Sequence, residues 1–179
     1  MEGGGSSASC ALGASGPGSS SQLYGELFKT MTGIEMAAVQ YRGVGSALPD
    51  LMSGRLDVIF LPVATAVGQI NDAKVRALGV TSSKRVAVLP DVPTIGHTVA
   101  GYEAVSWTGI GAPARTPDDI VTTLNRHVNA ALADAAFKAR LAEVGLEPFA
   151  RTPSEFASFI AEQTEKWGKI IRAAGIKAE

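Results

Sequence analysis

Hydrophobic and polar positions change their period along the first half of the chain. Apolar residues with helical spacing at Leu23, Leu27 and Met31 predict a helix that stops near Gly33, a residue type common at helix ends. The residues that follow, Ile34–Tyr41, are apolar and β-branched and predict a strand. The regular part of the pattern therefore begins with a helix followed by a strand.

The same alternation continues as far as Thr81. It predicts a short helix marked by Ala47, Leu48 and Leu51 and ending at Gly54, a strand at Asp57–Leu61, a helix at Val63–Ile70 and a strand at Val75–Thr81. The continuous apolar run DVIFL suits a strand that is covered on both faces. Such alternation predicts a βαβαβ unit with parallel strands and right-handed crossovers.

The second half of the chain has a different rhythm. An irregular, ordered connection is predicted from Ser82 to Tyr102, and a strand at Ser106–Pro113. Three helices follow. The first has Thr116 as N-cap, Pro117 at N1 and a buried stripe of Ile120, Leu124 and Val128. The second runs from Asp134 to Val144, with Phe137, Leu141 and Val144 facing inward. The third opens with Thr152, Pro153 and Glu155 and ends at Gly175.

Composition and charge exclude several classes of function. The 16 basic side chains are balanced by 17 acidic ones, so the basic surface that a nucleic-acid-binding protein needs is absent. Cys10 has no second cysteine with which to form an internal disulfide or a zinc site. No apolar run approaches the roughly 18 residues of a membrane span. Residues 1–11 read as a tag or linker, without the features of an export signal, and are predicted to be disordered.

The segment Gly13–Ser21 is the strongest candidate for binding chemistry. It is nearly all glycine and serine and directly precedes a helix, so backbone N–H groups and the hydroxyls of Ser19, Ser20 and Ser21 could hold an anion such as a carboxylate. No lysine follows the glycines, which excludes the nucleotide-binding P-loop pattern. The alternative interpretation, a flexible glycine- and serine-rich linker, is favoured by composition alone.

Catalytic and metal-binding patterns are absent. Ser15 does not lie in a G-x-S-x-G motif, and the aspartates form no acid–base pair. His97 and His127 are predicted at the surface, whereas Trp107 and Trp167 are predicted to pack in the core. Arg42 could reach an anion, although a solvated turn residue is the more common situation. The sequence therefore predicts no enzyme, no cofactor and no metal.

Several stretches together carry a family resemblance. They are GASGPGSSSQL, YRGVGSALPDLMSGRLDVIF, VRALGVTSSKRVAVLPDVPTI, GYEAVSWTGIGAPARTP and LNRHVNAAL. From Leu12 to about Ile176 the chain resembles the substrate-binding receptors of tripartite tricarboxylate transporters, also called the Bug family. The resemblance implies the α/β fold of type II periplasmic binding proteins, with two lobes, a parallel-rich sheet flanked by helices, and an organic acid between the lobes. It also implies a periplasmic protein that delivers the acid to the permease subunits of a membrane transporter.

The resemblance assigns the ligand site residue by residue. It implies that Gly18, Ser19, Ser20, Ser21 and Gln22 form the second lobe's share of the carboxylate site, and that the loop Leu61, Pro62, Val63, Ala64 and Thr65 forms a neighbouring wall. Family members often have a polar residue at the position of Leu61 or Pro62. Its absence here predicts a ligand with an apolar portion.

The resemblance also divides the chain. Residues 12–105 correspond to the second lobe and residues 106–179 to the C-terminal part of the first, a strand plus three helices. An export signal, the first part of the first lobe, and the first strand and helix of the second lobe are expected to be missing, so we predict a truncated receptor with impaired binding. We also predict self-association through exposed apolar surface. The alternative is a gene fragment without binding activity, or a protein-interaction module.

Overall fold

Three parallel strands form one sheet at the centre of the fold. The computed structural model describes residues 10–177, in which β1 (Cys10–Ala14) lies between β2 (Met36–Gln40) and β3 (Val58–Ile59). Leu12 of β1 is opposite Ala38 of β2 and Val58 of β3. The helices are α1 (Ser20–Thr32), α2 (Val44–Met52), α3 (Val63–Asn71), α4 (Asp118–Ala133), α5 (Ala135–Glu143) and α6 (Pro153–Ala173), with a 3-10 turn at Ile95–His97.

The central strand β1 corrects the sequence prediction. Residues 1–11 were predicted as a disordered linker, yet Cys10 and Ala11 begin β1. The rest of that prediction, residues 1–9, lies outside the described residues. The sequence CALGA has little β-branched or aromatic character, and it borders a glycine- and serine-rich segment. Its small side chains suit a strand with neighbours on both edges and helices on its faces.

The contact between α1 and β1 explains why α1 contains a buried glycine. A Cβ placed on Gly25 would collide with a side-chain methyl of Leu12, which is fully buried. The missing side chain therefore lets the helix approach the sheet closely. The helix ends as predicted at Gly33, which has a left-handed φ of 72° and donates its N–H to the carbonyl of Lys29.

Two of the predicted strands do not form. Val75–Thr81 is reduced to a single bridge in which Val80 donates to the Pro93 carbonyl and accepts from Ile95 N–H, both at 2.9 Å. Ser106–Pro113 has no strand partner among residues 10–177. A β pattern becomes a strand only when another segment pairs with it. The strand at Asp57–Leu61 does form, but only Val58 and Ile59 pair.

The C-terminal helices are found where they were predicted, but their apolar faces are not buried. Ile120 and Leu124 are 47% and 48% exposed, and Phe137 and Val144 are also exposed. Val128 and Leu141 are half-buried. The helical spacing was read correctly from the sequence. The second layer that would bury this stripe is absent from the described part of the chain.

Local capping sets the helix starts. The Thr152 hydroxyl accepts from Glu155 N–H, and the Glu155 carboxylate accepts from Thr152 N–H at 2.8 Å, which confirms the predicted capping box of α6. These hydrogen bonds to Thr152 hold the pKa of Glu155 below its usual value. At α4 the prediction was one residue early, because Pro117 and not Thr116 is the N-cap.

Replacing Thr152 with alanine should lower the free energy of unfolding by about 1 kcal/mol, because the N3 amide loses its acceptor. Urea denaturation of the full chain measures this. Ser154→Ala is the matched control, since within the described part of the chain the Ser154 hydroxyl hydrogen-bonds only to the Thr152 hydroxyl. Equal losses for both variants would contradict the assigned role of Thr152.

None of the helices within residues 10–177 combines the length and apolar character required to cross a membrane.

Candidate functional site

The glycine- and serine-rich segment lies at the carboxyl end of the central strand. It connects β1 to α1, and the loop that follows β3 leaves the same edge of the parallel sheet. In open α/β sheets, ligands bind outside the carboxyl ends of strands, where the strand order reverses. With the order β2-β1-β3, this position lies between the loops after β1 and β3. Both segments implicated by the sequence therefore leave adjacent strands at the same edge of the sheet.

Two glycines shape the loop between β1 and α1. Gly16 and Gly18 have φ values of 113° and 71°, a backbone region that L side chains rarely adopt. Ser19 N–H donates to the Gly16 carbonyl at 3.2 Å and closes a tight turn before the helix. The segment is thus an ordered turn in the structure rather than a flexible linker.

The Ser21 hydroxyl holds this loop together from inside. Ser21 is only 2% exposed, and its oxygen accepts from Ser15 N–H at 2.9 Å. It also lies 3.1 Å from the hydroxyls of both Ser15 and Ser19. One proton and two lone pairs are fully used by three such partners. The Ser21 hydroxyl therefore faces the loop, and only its backbone N–H is available to a ligand.

The first turn of α1 presents unused donors. Within residues 10–177, the N–H groups of Ser20, Ser21 and Gln22 have no protein acceptor, and the Ser19 side chain caps none of them. The Gln22 side-chain oxygen accepts from Gly18 N–H at 2.9 Å. This hydrogen bond does not use the NH₂ group of the Gln22 side chain, which can donate to a ligand. Three aligned N–H groups at the positive end of a helix form a site for an anionic oxygen.

The loop after β3 follows the strand next to β1 at this edge. Leu61 and Val63 are half-buried, whereas Pro62, Ala64 and Thr65 are exposed. Pro62 caps α3, and its carbonyl accepts from Thr65 N–H at 3.0 Å. This loop is mostly apolar in its side chains, as the sequence indicated.

Aromatic side chains near these loops were not identified from the sequence. Tyr24, one helical turn after Ser20, packs edge-on against Phe60 at 6.2 Å between ring centroids. It also lies 5.5 Å from the Trp167 ring and 2.8 Å, through its hydroxyl, from the Ser106 hydroxyl. Burial raises the pKa of Tyr24. The i, i+4 spacing from Ser20 is the signal that could have located Tyr24.

Tyr41 anchors the third loop at this sheet edge. Its N–H donates to the Ala14 carbonyl at 2.8 Å, and its hydroxyl donates to Asp50 at 2.7 Å. The hydrogen bond from Tyr41, with that from Arg55, lowers the pKa of Asp50. The next residue, Arg42, is exposed, as expected for a solvated turn residue.

The remaining candidates differ in how their predicted exposure compares with the structure. His97 and His127 are exposed, as predicted, but Trp107 is 42% exposed and so is not the core residue that was predicted. Cavities of about 340 and 300 Å³ are lined by other segments of the chain. Among the described residues, no group of His, Cys, Asp and Glu could hold a metal ion.

Comparison with known sequences identifies a family model. The model described as tripartite tricarboxylate transporter family receptor matches residues 8–176. The protein BugT of Bordetella pertussis is 33% identical over 163 residues, which cover 89% of this chain and 49% of BugT. The chain spans about half the length of most of the curated relatives that it matches.

Solved structures show the same fold. The Rhodopseudomonas palustris protein Rpa4515, determined with adipate, is 38% identical with a TM-score of 0.81 over 93% of this chain and 56% of that one. MatC from the same organism, with bound malate, is 30% identical with a TM-score of 0.73 over 90% of this chain and 56% of its own. The predicted α/β fold of periplasmic binding proteins is therefore confirmed.

Proposed function

The chain belongs to the tripartite tricarboxylate transporter receptor family, and from this premise we propose that it captures a small organic acid for a membrane permease. The family consists of solute-binding receptors and not of enzymes. We place the protein in the periplasm, as solved relatives are periplasmic binding proteins.

One observation carries this proposal. The unused N–H groups of Ser20, Ser21 and Gln22 point from the start of α1 at the carboxyl end of the central strand. Hydrogen bonds to a charged acceptor are about twice as strong as neutral ones, so a carboxylate gains most from this site. No lysine or arginine lies between Ser15 and Leu23, and the site therefore relies on backbone dipoles.

The proposed site consists of two segments at the same edge of the sheet. Gly18, Ser19, Ser20, Ser21 and Gln22 hold the carboxylate, and Leu61, Pro62, Val63, Ala64 and Thr65 form the wall. The apolar side chains of Leu61 and Pro62 favour a ligand with a methylene portion. The similarity to a protein determined with adipate supports a dicarboxylate of this type.

We assign residues 12–105 to the second lobe and residues 106–179 to part of the first. With one side of the cleft contributed by the described loops, a bound acid keeps much of its hydration. We therefore expect the chain to bind its acid weakly, with a dissociation constant that can be measured by NMR titration of the backbone amides.

The test is a titration of the full chain with adipate and with malate, and with 1,6-hexanediol as the uncharged analogue of adipate. Saturable shifts centred on the amides of Ser20, Ser21 and Gln22, seen with an acid and not with the diol, would support the proposal. A folded chain whose amides do not respond to any acid would favour the alternative, a non-binding fragment or protein-interaction module.

Ser20→Pro should weaken acid binding about 10- to 100-fold, because it deletes one N–H donor to a charged group. The helix should survive, since Ser20 is at N1, where proline is favoured, and Ser19 before it is extended at φ −64° and ψ 156°. Ser20→Ala is the matched control, because it removes the hydroxyl and keeps the N–H. Equal affinities for Ser20→Pro and wild type would contradict the site.

A further inference from the structure

The Tyr24 ring lies between the helix that begins at the proposed carboxylate site and the strand that precedes the proposed wall. Tyr24 is one helical turn after Ser20, and its ring packs edge-on against Phe60 at 6.2 Å between centroids. Phe60 directly follows β3 and directly precedes Leu61. The ring is therefore at the carboxyl edge of the sheet, on the side of α1 that faces the loop after β3.

Helix geometry turns this ring toward the unused N–H groups of the first turn. Residues four apart lie on the same face of a helix, and an aromatic side chain in a helix leans toward the N-terminus. Ser20 and Tyr24 are separated by a rise of about 6 Å along the helix axis. Gly25, the next residue, lies against Leu12 of β1 and sets the orientation of α1 on the sheet. A ligand chain that extends from the donors along this face of α1 therefore meets the Tyr24 ring.

The ring is held in one position by contacts on several sides. Its centroid is 5.5 Å from the Trp167 ring of α6, and its hydroxyl lies 2.8 Å from the Ser106 hydroxyl. The backbone of Tyr24 is fixed as well, because its carbonyl accepts from the hydroxyl of Tyr102, which is only 2% exposed. The ring can move aside only by breaking these contacts. It is thus a rigid boundary and not an adaptable surface.

From these observations we propose that Tyr24 is a specificity-determining residue that limits the length of the bound acid. This inference rests on the proposed function and deepens it. One carboxylate of the acid binds the N–H groups of the first turn, and its methylene chain runs along the apolar wall as far as the Tyr24 ring. A longer acid finds the space for its additional methylenes occupied by the ring. The site therefore selects short aliphatic dicarboxylates by chain length.

The test compares adipate with suberate, a dicarboxylate that differs from it only by two additional methylenes, in NMR titrations of the full chain. Suberate should bind the wild type about tenfold more weakly than adipate, or weaker still, because even one methylene that does not fit an apolar pocket has an effect of this size. Tyr24→Ala removes the ring and should abolish the difference. Tyr24→Phe keeps the ring and should rescue the wild-type ratio of the two affinities.

Phe28→Ala is the matched control for Tyr24→Ala. Phe28 is one turn further along α1, and its ring packs against Tyr102 at 5.9 Å between centroids. Its truncation disturbs the same helix without opening the space beside Phe60. It should lower the free energy of unfolding and leave the ratio of the adipate and suberate affinities unchanged. The same change of ratio in Phe28→Ala and Tyr24→Ala would overturn the proposal, because a general loosening of α1 would then be its cause.

A measurement on the wild type alone tests whether the ring borders the ligand. The ring current of Tyr24 should shift the methylene proton signals of bound adipate, and intermolecular NOEs should connect these protons to the Tyr24 ring. An acid that binds without either signal would contradict the role of Tyr24, as would equal affinities of the wild type for adipate and suberate. These outcomes leave the proposed function intact. If no acid binds the folded chain, the proposed function itself fails, and the role of Tyr24 fails with it.

Discussion

Leu12→Ala is expected to lower the free energy of unfolding by about 2–5 kcal/mol, in the range of buried leucine truncations. Leu12 is fully buried, lies on the central strand, and contacts α1 at Gly25. Truncation leaves a void between the sheet and the helix that the two flanking strands cannot close. Urea denaturation measures the loss, and Leu78→Ala, at a largely exposed leucine, should cost less than about 0.5 kcal/mol.

A second substitution tests whether the contact of Leu12 with Gly25 is the cause. Gly25→Ala alone should destabilise the protein, because the new methyl collides with Leu12. In the Leu12→Ala background the same methyl fills part of the void and should be neutral or stabilising. The double-mutant cycle should therefore give a coupling energy of about 1–3 kcal/mol. Additive effects would show that α1 and β1 are not in contact at these residues.

Ser21→Ala is expected to lower the free energy of unfolding by about 1–3 kcal/mol and also to weaken acid binding. The substitution removes the acceptor of Ser15 N–H, in a part-buried position, and releases the hydroxyls of Ser15 and Ser19. Without these bonds the turn before α1 loosens, and the donors of the first turn are less well ordered. Denaturation and the acid titration are measured on the same variant.

Ser19→Ala is the matched control for Ser21→Ala. Among residues 10–177, the Ser19 hydroxyl hydrogen-bonds only to that of Ser21, so its loss leaves Ser15 N–H with its acceptor. We expect less than half of the effect of Ser21→Ala on stability. If Ser21→Ala lost affinity but no stability, the Ser21 hydroxyl would contact the ligand directly, against the inward orientation seen in the structure.

The sequence alone determined those features that arise from interactions between neighbours along the chain. The Thr152–Glu155 capping box and the stop of α1 at Gly33 each involve residues a few positions apart. The glycine- and serine-rich segment Gly13–Ser21 was likewise recognisable from the sequence, because the helical spacing of apolar residues begins directly after it, at Leu23. The family was identified from local blocks such as LPDVPT.

Tertiary structure alone decided which segments pair, which side chains are buried and which groups meet. Cys10–Ala14 became the central strand despite weak β character, while the stronger patterns at Val75–Thr81 and Ser106–Pro113 found no strand partner among residues 10–177. The inward Ser21 hydroxyl and the contact of Tyr24 with Phe60 also join parts of the chain that no local rule connects. Strand pairing and burial depend on residues that are distant in sequence. They stabilise the protein only when the whole fold brings those residues together.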